Sequence, residues 1–210
     1  LTSWLLTNSL FIQVPNFASV LPQGYAIASQ MSVIIQVSNL FALIYVFFHS
    51  KIHIPDWVLI FSLQVCAIST SLSIAYGWDS LWGGYSLFLL FLSGTSGLVG
   101  CMSVVIFYPF AAKTSPLLTS GISLGMGLTG LISSVLGIIQ TAITFSVTTY
   151  FLINTAILLA STVTFLAILA YAKYQKSKDT LDINRTQPVP LDGEEGDSND
   201  IELRSEIISE

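Results

Sequence analysis

Asn8, Gln36 and Asn39 are the side chains of this sequence best placed to do chemistry, because each is a carboxamide set inside an apolar run. A carboxamide carries two donors and an acceptor. A group of them suits a neutral ligand with several amide-like groups better than an ion. Ser29, Ser32, Gln36 and Asn39 recur every three or four residues, the spacing that puts side chains on one helix face. Trp4, Asn8, Phe11 and Pro15 share a second face. Gln13 lies near Asn8 in sequence but points elsewhere, and Pro15 bends or ends its helix. Polar groups in hydrocarbon are costly and face a neighbour or a cavity. The bland use is interhelical glue, at about 0.6 kcal/mol per hydrogen bond. The sharper reading is that the two stripes together line a polar, aromatic cavity, with Trp4, Asn8, Phe11, Gln36 and Asn39 as its candidate binding residues.

The elements that must position these residues follow from the charge distribution. Residues 1–172 hold four charged side chains: Lys51, Asp56, Asp79 and Lys113. A soluble domain carries about a quarter of its residues as charges, so this chain is built for lipid. Of 210 residues, 53% are hydrophobic and 9% charged, which places it in the membrane class. The net charge of −5 conceals two opposite parts. Five lysines against two aspartates make the chain basic through Lys178; from Asp179 onward, ten acids face Arg185 and Arg204. Nucleic acid is excluded as a partner, because the acidic part repels it and the basic part is a short juxtamembrane cluster.

A spanning helix needs roughly 20 mostly apolar residues. Six runs fit: about 1–20, 27–48, 57–76, 84–110, 117–142 and 145–172. Breakers separate them, at Pro22-Gln23-Gly24, His49 to Pro55, Gly77-Trp78-Asp79, Lys113 to Pro116, and a very short turn near Ala142 to Phe145. The predicted fold class is therefore an all-α membrane protein, a bundle of about six transmembrane helices over 1–172. Residues 173–210 form a second region, a disordered acidic cytosolic tail, because from Asp179 onward it has no aromatic side chain and too little apolar surface to offset its conformational entropy.

If six spans alternate, Lys51, Lys113, Lys173, Lys176 and Lys178 all fall on one side, and the opposite loops contain no Lys or Arg. The positive-inside rule then places both termini in the cytosol. Asn184-Arg185-Thr186 is a formal glycosylation sequon that this topology leaves unmodified. The chain opens at Leu1 within an apolar run that lacks the basic region and cleavage site of a signal peptide, and reads as a fragment cut in or before a first span.

Catalytic and metal chemistry find little footing. No Asp or Glu lies inside a span, His49 and His53 sit in a loop, and no G-x-S-x-G elbow occurs. Cys66 and Cys101 lie singly in apolar runs without a CxxC pattern, so neither a disulfide framework nor a metal site is expected. No cofactor is implied. Gly94, Gly97 and Gly100, and the Gly121-x-x-x-Gly125 pattern, read as close helix crossings.

The first fifty residues resemble the eukaryotic riboflavin transporter family. Ser3-Trp4, Asn8 and Pro15, then Leu21-Pro22-Gln23-Gly24-Tyr25, then Ser32-Val33-Ile34-Ile35-Gln36 with Asn39, are similar to that family's SW-x-x-x-N-G-x-W-x-E-x-P, LPEGW and S-V-x-x-Q-x-x-N patterns. Looser similarity continues through Ser103 to Phe110 and through Gly125-Met126-Gly127-Leu128 to Ile139-Gln140. The departures are specific. Ser9 stands for glycine, Phe11 and Tyr25 for tryptophan, and Gln13 and Gln23 for glutamate, which removes the charge a pH-dependent step would use.

The resemblance implies eleven spans in the family, six plus five around a polar linker, so that this chain corresponds to an amino-terminal half. It implies a transporter and not an enzyme, in the plasma membrane, with riboflavin as substrate and a missing second half or a homodimer as partner. Transporters of this general kind bind near the midplane between repeats. Trp4 and Phe11 would meet the flat ring; Asn8, Gln36 and Asn39 would bond its carbonyl, imide or ribityl groups. The competing expectation is a membrane scaffold whose glycine faces drive association and whose acidic tail recruits partners. A membrane-embedded enzyme ranks last for want of a nucleophile and base.

Overall fold

The computed structural model describes residues 2–48, 55–114 and 116–186. These form seven helices: α1 (Thr2–Ile12), α2 (Val14–Val20), α3 (Ala26–Phe48), α4 (Asp56–Gly77), α5 (Leu87–Thr114), α6 (Pro116–Ile143) and α7 (Val147–Thr186). Five of them, α3 to α7, are long and apolar enough to cross a membrane. The all-helical, multi-pass reading of the sequence therefore holds. The His49–His53 loop lies outside the described residues.

The first expected span, 1–20, is two helices and not one. Neither α1, at 11 residues, nor α2, at 7, reaches across a bilayer alone. Pro15 causes the break: it lacks an N–H and sits in the first turn of α2, where that group has no intrahelical partner anyway. The backbone ladder still passes through the junction. Gln13 N–H donates to the carbonyls of Ser9 (3.1 Å) and Leu10 (3.2 Å), and Phe17 N–H donates to Gln13 at 3.0 Å. The two pieces thus form a bent rod whose bend falls at Gln13.

The other breakers do what their chemistry predicts. Gly24 takes a left-handed φ of 53° after Pro22, and Gly83 and Gly84 at 61° and 80° turn the chain so that Trp82 and Tyr85 pair. Two successive positive φ values are the signature of a tight reversal that glycine allows without steric cost.

Two compact units divide the chain, Leu1–Phe165 and Leu166–Glu210. In the first, α5 touches α1, α3, α4 and α6, and α1 packs mainly on α5 and α6. Glycine sets the α3–α5 crossing. A Cβ on Gly97 would stand 2.9 Å from Ile35 Cγ2 and 3.1 Å from its Cα, and one on Gly94 would stand 2.9 Å from Ile34 Cγ2. Gly121 meets nothing within 4 Å among the described residues, so no close crossing is made at that glycine. Further along α6, Gly130 lies against Asn8 and Gly137 against Ile12.

The apolar core gathers Leu10, Phe17, Met31, Ile74, Leu89, Tyr150 and Phe151. Phe17 stacks on Phe151 at 6.5 Å between ring centres and lies 5.7 Å from Trp78. In a bilayer, lipid tails are as apolar as leucine, so close packing and hydrogen bonds, not water exclusion, must hold such helices together.

The second unit, as far as Thr186, is the end of α7. The backbone stays helical over 173–186, where the sequence reading placed the start of a disordered tail. A helix already formed extends without a new nucleus, and the lysines and glutamine of that stretch are good helix formers. Poor apolar content forbids tertiary burial but not this extension. Residues 187–210 lie outside the described residues.

Candidate functional site

The bend at Gln13 exposes the polar side of α1 to several helices at once. Thr7, Ser9 and Gln13 are buried, at 3%, 0% and 0% exposure. Together they meet α5, α6 and α7. Thr7 shares a hydrogen bond with Ser96 of α5 at 2.8 Å. Ser9 shares one with Ser133 of α6 at 3.2 Å and accepts from Asn154 Nδ2 of α7 at 2.8 Å. Tyr150 of α7 donates to the Ser133 carbonyl at 3.0 Å. Gln13 Nε2 donates to Gln140 Oε1 of α6. With α4, Thr155 donates to Ser71 at 2.9 Å, and Ser71 to the Phe151 carbonyl at 3.2 Å. A polar spine so runs through an apolar bundle with α1 at its centre.

Around Gln13 the bonds form a directed row of amides. Asn16 Nδ2 donates to Gln13 Oε1 at 2.8 Å, Gln13 Nε2 donates to Gln140, and Gln140 Nε2 donates to the Phe145 carbonyl at 3.2 Å. The row links the α1–α2 bend to the α6–α7 turn. That turn is tight because Thr144, a β-branched residue, takes a φ of 58°, a conformation rarely adopted by such side chains.

The row ends at a cavity of about 420 Å³, walled by Asn16 and Ser19 of α2, Trp78 after α4, Gln140 and Thr141 of α6, and Thr144 to Val147 in and after the turn. That volume lies within the usual 300–1,000 Å³ of small-molecule sites.

The predicted binding residues are all described, but the structure does not join them. Trp4 and Asn8 are half-buried and Phe11 is 40% exposed on α1. Asn8 Nδ2 donates to Thr129 of α6 at 3.1 Å, and its carboxamide oxygen has no partner among the described residues. Gln36 and Asn39 lie on α3, where Asn39 Nδ2 donates to Gln36 Oε1 at 3.2 Å. Gln36 borders an open groove with Ser32, Val33, Val37 and Leu40. No hydrogen bond joins the two stripes among the described residues. The side of α3 that carries Ile34, Ile35 and Ser38 faces α5, which leaves Gln36 exposed on the outside of this bundle, while Asn39 is half-buried with its carboxamide oxygen enclosed and unpartnered among the described residues. The expected shared cavity is therefore not closed by this chain's own helices.

The spine itself escaped sequence reasoning. Gln13 and Gln140 were visible as amides in apolar runs, and their pairing was not. Asn154 gave the same signal, one amide deep in a span, and would have been found by asking where each buried carboxamide finds its partner.

Comparison with known proteins adds to this geometry. A family model described as solute carrier family 52, riboflavin transporter, matches residues 1–144. The chain is 32% identical over 199 residues to riboflavin transporter rft-1 of Caenorhabditis elegans, which covers 84% of this chain and 46% of the relative. It is 31% identical to riboflavin transporter rft-2 of the same organism, over 66% of this chain and 31% of the relative. Against human solute carrier family 52, riboflavin transporter, member 3, it is 28% identical, again over 66% of the chain and 31% of the relative. The chain thus spans less than half the length of these relatives. No solved structure matches it.

Proposed function

This chain belongs to the solute carrier family 52 riboflavin transporters, and from that premise we propose that it carries one half of a riboflavin pathway across the plasma membrane. Residues 1–172 form the membrane domain and residues from 173 the cytosolic segment. With α1 and α2 crossing the membrane together as one span and α3 to α7 as five more, both termini face the cytosol, because all five lysines then lie inside. The second wall of the pathway comes from a further helical bundle or a second copy of this chain. The protein moves its substrate and does not transform it.

The observation that carries this reading is the family match over 1–144, which contains all five proposed binding residues. The α1 face supports it from the geometry. Trp4 and Phe11 offer aromatic surface, and Asn8 keeps an open acceptor beside them, as a flat ring with N–H groups requires. On α3, Gln36 adds an exposed amide paired with the half-buried Asn39. Both faces need a covering partner, because bare amides are costly in hydrocarbon.

The test is uptake of labelled riboflavin by auxotrophic cells that express the chain, with surface expression measured. Uptake blocked by excess unlabelled riboflavin supports the reading. Absence of uptake from well-inserted protein, persisting after fusion to a second half from a relative, overturns it and favours a membrane scaffold.

A further inference from the structure

The cavity at the α6–α7 turn is separate from the α1 and α3 faces, and much of its hydrogen-bonding capacity is unspent. Ser19 spends its hydroxyl proton on the Asn16 carbonyl at 2.8 Å. Thr141 gives its proton to the Gly137 carbonyl at 3.0 Å, and Thr144 to the Ile143 carbonyl at 2.7 Å. The Asn16 carboxamide nitrogen gives one N–H to Gln13 and that of Gln140 one to the Phe145 carbonyl, and each keeps a second. What remains free is a mixture: lone pairs on three hydroxyls and on the Asn16 carboxamide oxygen, and an N–H on each of the two carboxamides. Gln140 is 7% exposed and Gln13 not at all, so the floor of the cavity is held rigid. No charged side chain lines it, and Trp78 forms an aromatic wall.

A wall that both donates and accepts, without a charged side chain, suits a neutral partner whose groups also do both, as hydroxyls do. An anion or a cation would find no counter-charge to offset desolvation. We infer that this cavity is a polyol subsite, which takes the hydroxylated chain of a neutral ligand while Trp78 meets an adjoining flat ring. That the ligand is a flavin rests on the transport reading above; that it is a polyol rests on the cavity alone.

Site-directed labelling separates the two. In the full chain with Cys66→Ala and Cys101→Ala, a single cysteine is introduced as Thr141→Cys or, independently, as Ser19→Cys, both in the cavity. Phe11→Cys reports on the α1 face. Maleimide labelling is timed in membranes with riboflavin, with ribitol, or with lumiflavin, which has the ring but no polyol. Riboflavin and ribitol should slow labelling at 141 and 19 at least fivefold, and lumiflavin should not. Protection by riboflavin at position 11 but not at 141 or 19 overturns the subsite and leaves the transport reading intact. Protection at 141 or 19 by lumiflavin but not ribitol also overturns it, since the cavity then holds the ring. Protection by ribitol with none by riboflavin anywhere upholds the polyol site and sinks the flavin. No protection at any position overturns both.

Discussion

Gln13 and Gln140, 127 positions apart, meet side chain to side chain in the interior of the bundle, where Gln13 is fully enclosed and Gln140 shows only an edge to the cavity. Each also engages a second partner, Asn16 for Gln13 and the Phe145 carbonyl for Gln140. A buried polar pair of this kind is worth little when complete and much when halved, because the deserted group keeps its full desolvation cost.

Gln13→Leu strands Gln140 Oε1 and Asn16 Nδ2 together. We expect a loss of about 1–3 kcal/mol in reversible unfolding in detergent. The double variant Gln13→Leu/Gln140→Leu should be less destabilised than the sum of the two singles, which a double-mutant cycle reads directly. Additive losses would mean the two amides do not act as a pair.

Glycine substitutions should split sharply by position. Gly97→Ala drives a methyl into the backbone of Ile35, so α3 must shift, at a cost of about 1–3 kcal/mol. Gly121→Ala meets open space and should be neutral or stabilising by up to about 1 kcal/mol through helix propensity. Thermal unfolding of the two variants side by side checks this.

Thr144→Gly relieves a positive φ that a β-branched residue tolerates poorly, and should stabilise the turn by about 1 kcal/mol. The same change deletes one acceptor of the cavity. A higher melting temperature with a reduced preference for riboflavin over lumiflavin is the expected combination. A lower melting temperature would show that Thr144 contributes more by contact than it costs by strain.

Asn8→Ala removes one donor to Thr129, which keeps its own bond to the Met126 carbonyl at 2.7 Å. Membrane insertion and stability should therefore change by less than about 1 kcal/mol, while riboflavin uptake falls severalfold. Unchanged uptake would remove Asn8 from the pathway.

If the proposed orientation holds, with the end of α7 in the cytosol, Asn184 stays unglycosylated although it sits in a sequon. Expression in cells competent for glycosylation, followed by a mobility shift assay after glycosidase treatment, decides it. A shift would reverse the orientation of every helix.

The long helices were legible in the sequence because apolar length is a strong signal, and the breakers because Gly24, Gly83 and Pro15 act through their own backbone chemistry. Pro15 announced a bend. That it would leave α1 and α2 as separate helices depended on how the ladder re-forms around Gln13, which no local pattern encodes. The membrane-crossing part of α7 was legible, at Val147–Tyr171; its helical continuation to Thr186 was not, because composition reports on burial and not on the extension of a helix already begun. Asn8, Gln36 and Asn39 were visible as polar residues at helical spacing, yet periodicity fixes a face and not its neighbour. Only the α3–α5 contact at Gly94 and Gly97 turned the Gln36 stripe outward. The amide row and the cavity were illegible for the same reason: their members lie more than a hundred positions apart.

The bend in the first span also bears on how the protein is made. Synthesis delivers α1 and α2 to the membrane before α6 and α7, yet the partners of Ser9 and Gln13 arrive with Ser133, Gln140 and Asn154, on those later helices. Until then, two short segments carrying bare amides must wait in or beside the insertion machinery. Correct assembly of α1 and α2 is thus certified only by the arrival of α6 and α7. A ribosome that stalls before α6 would release a product whose first helices remain recognisably unfinished, and so a ready client for membrane quality control.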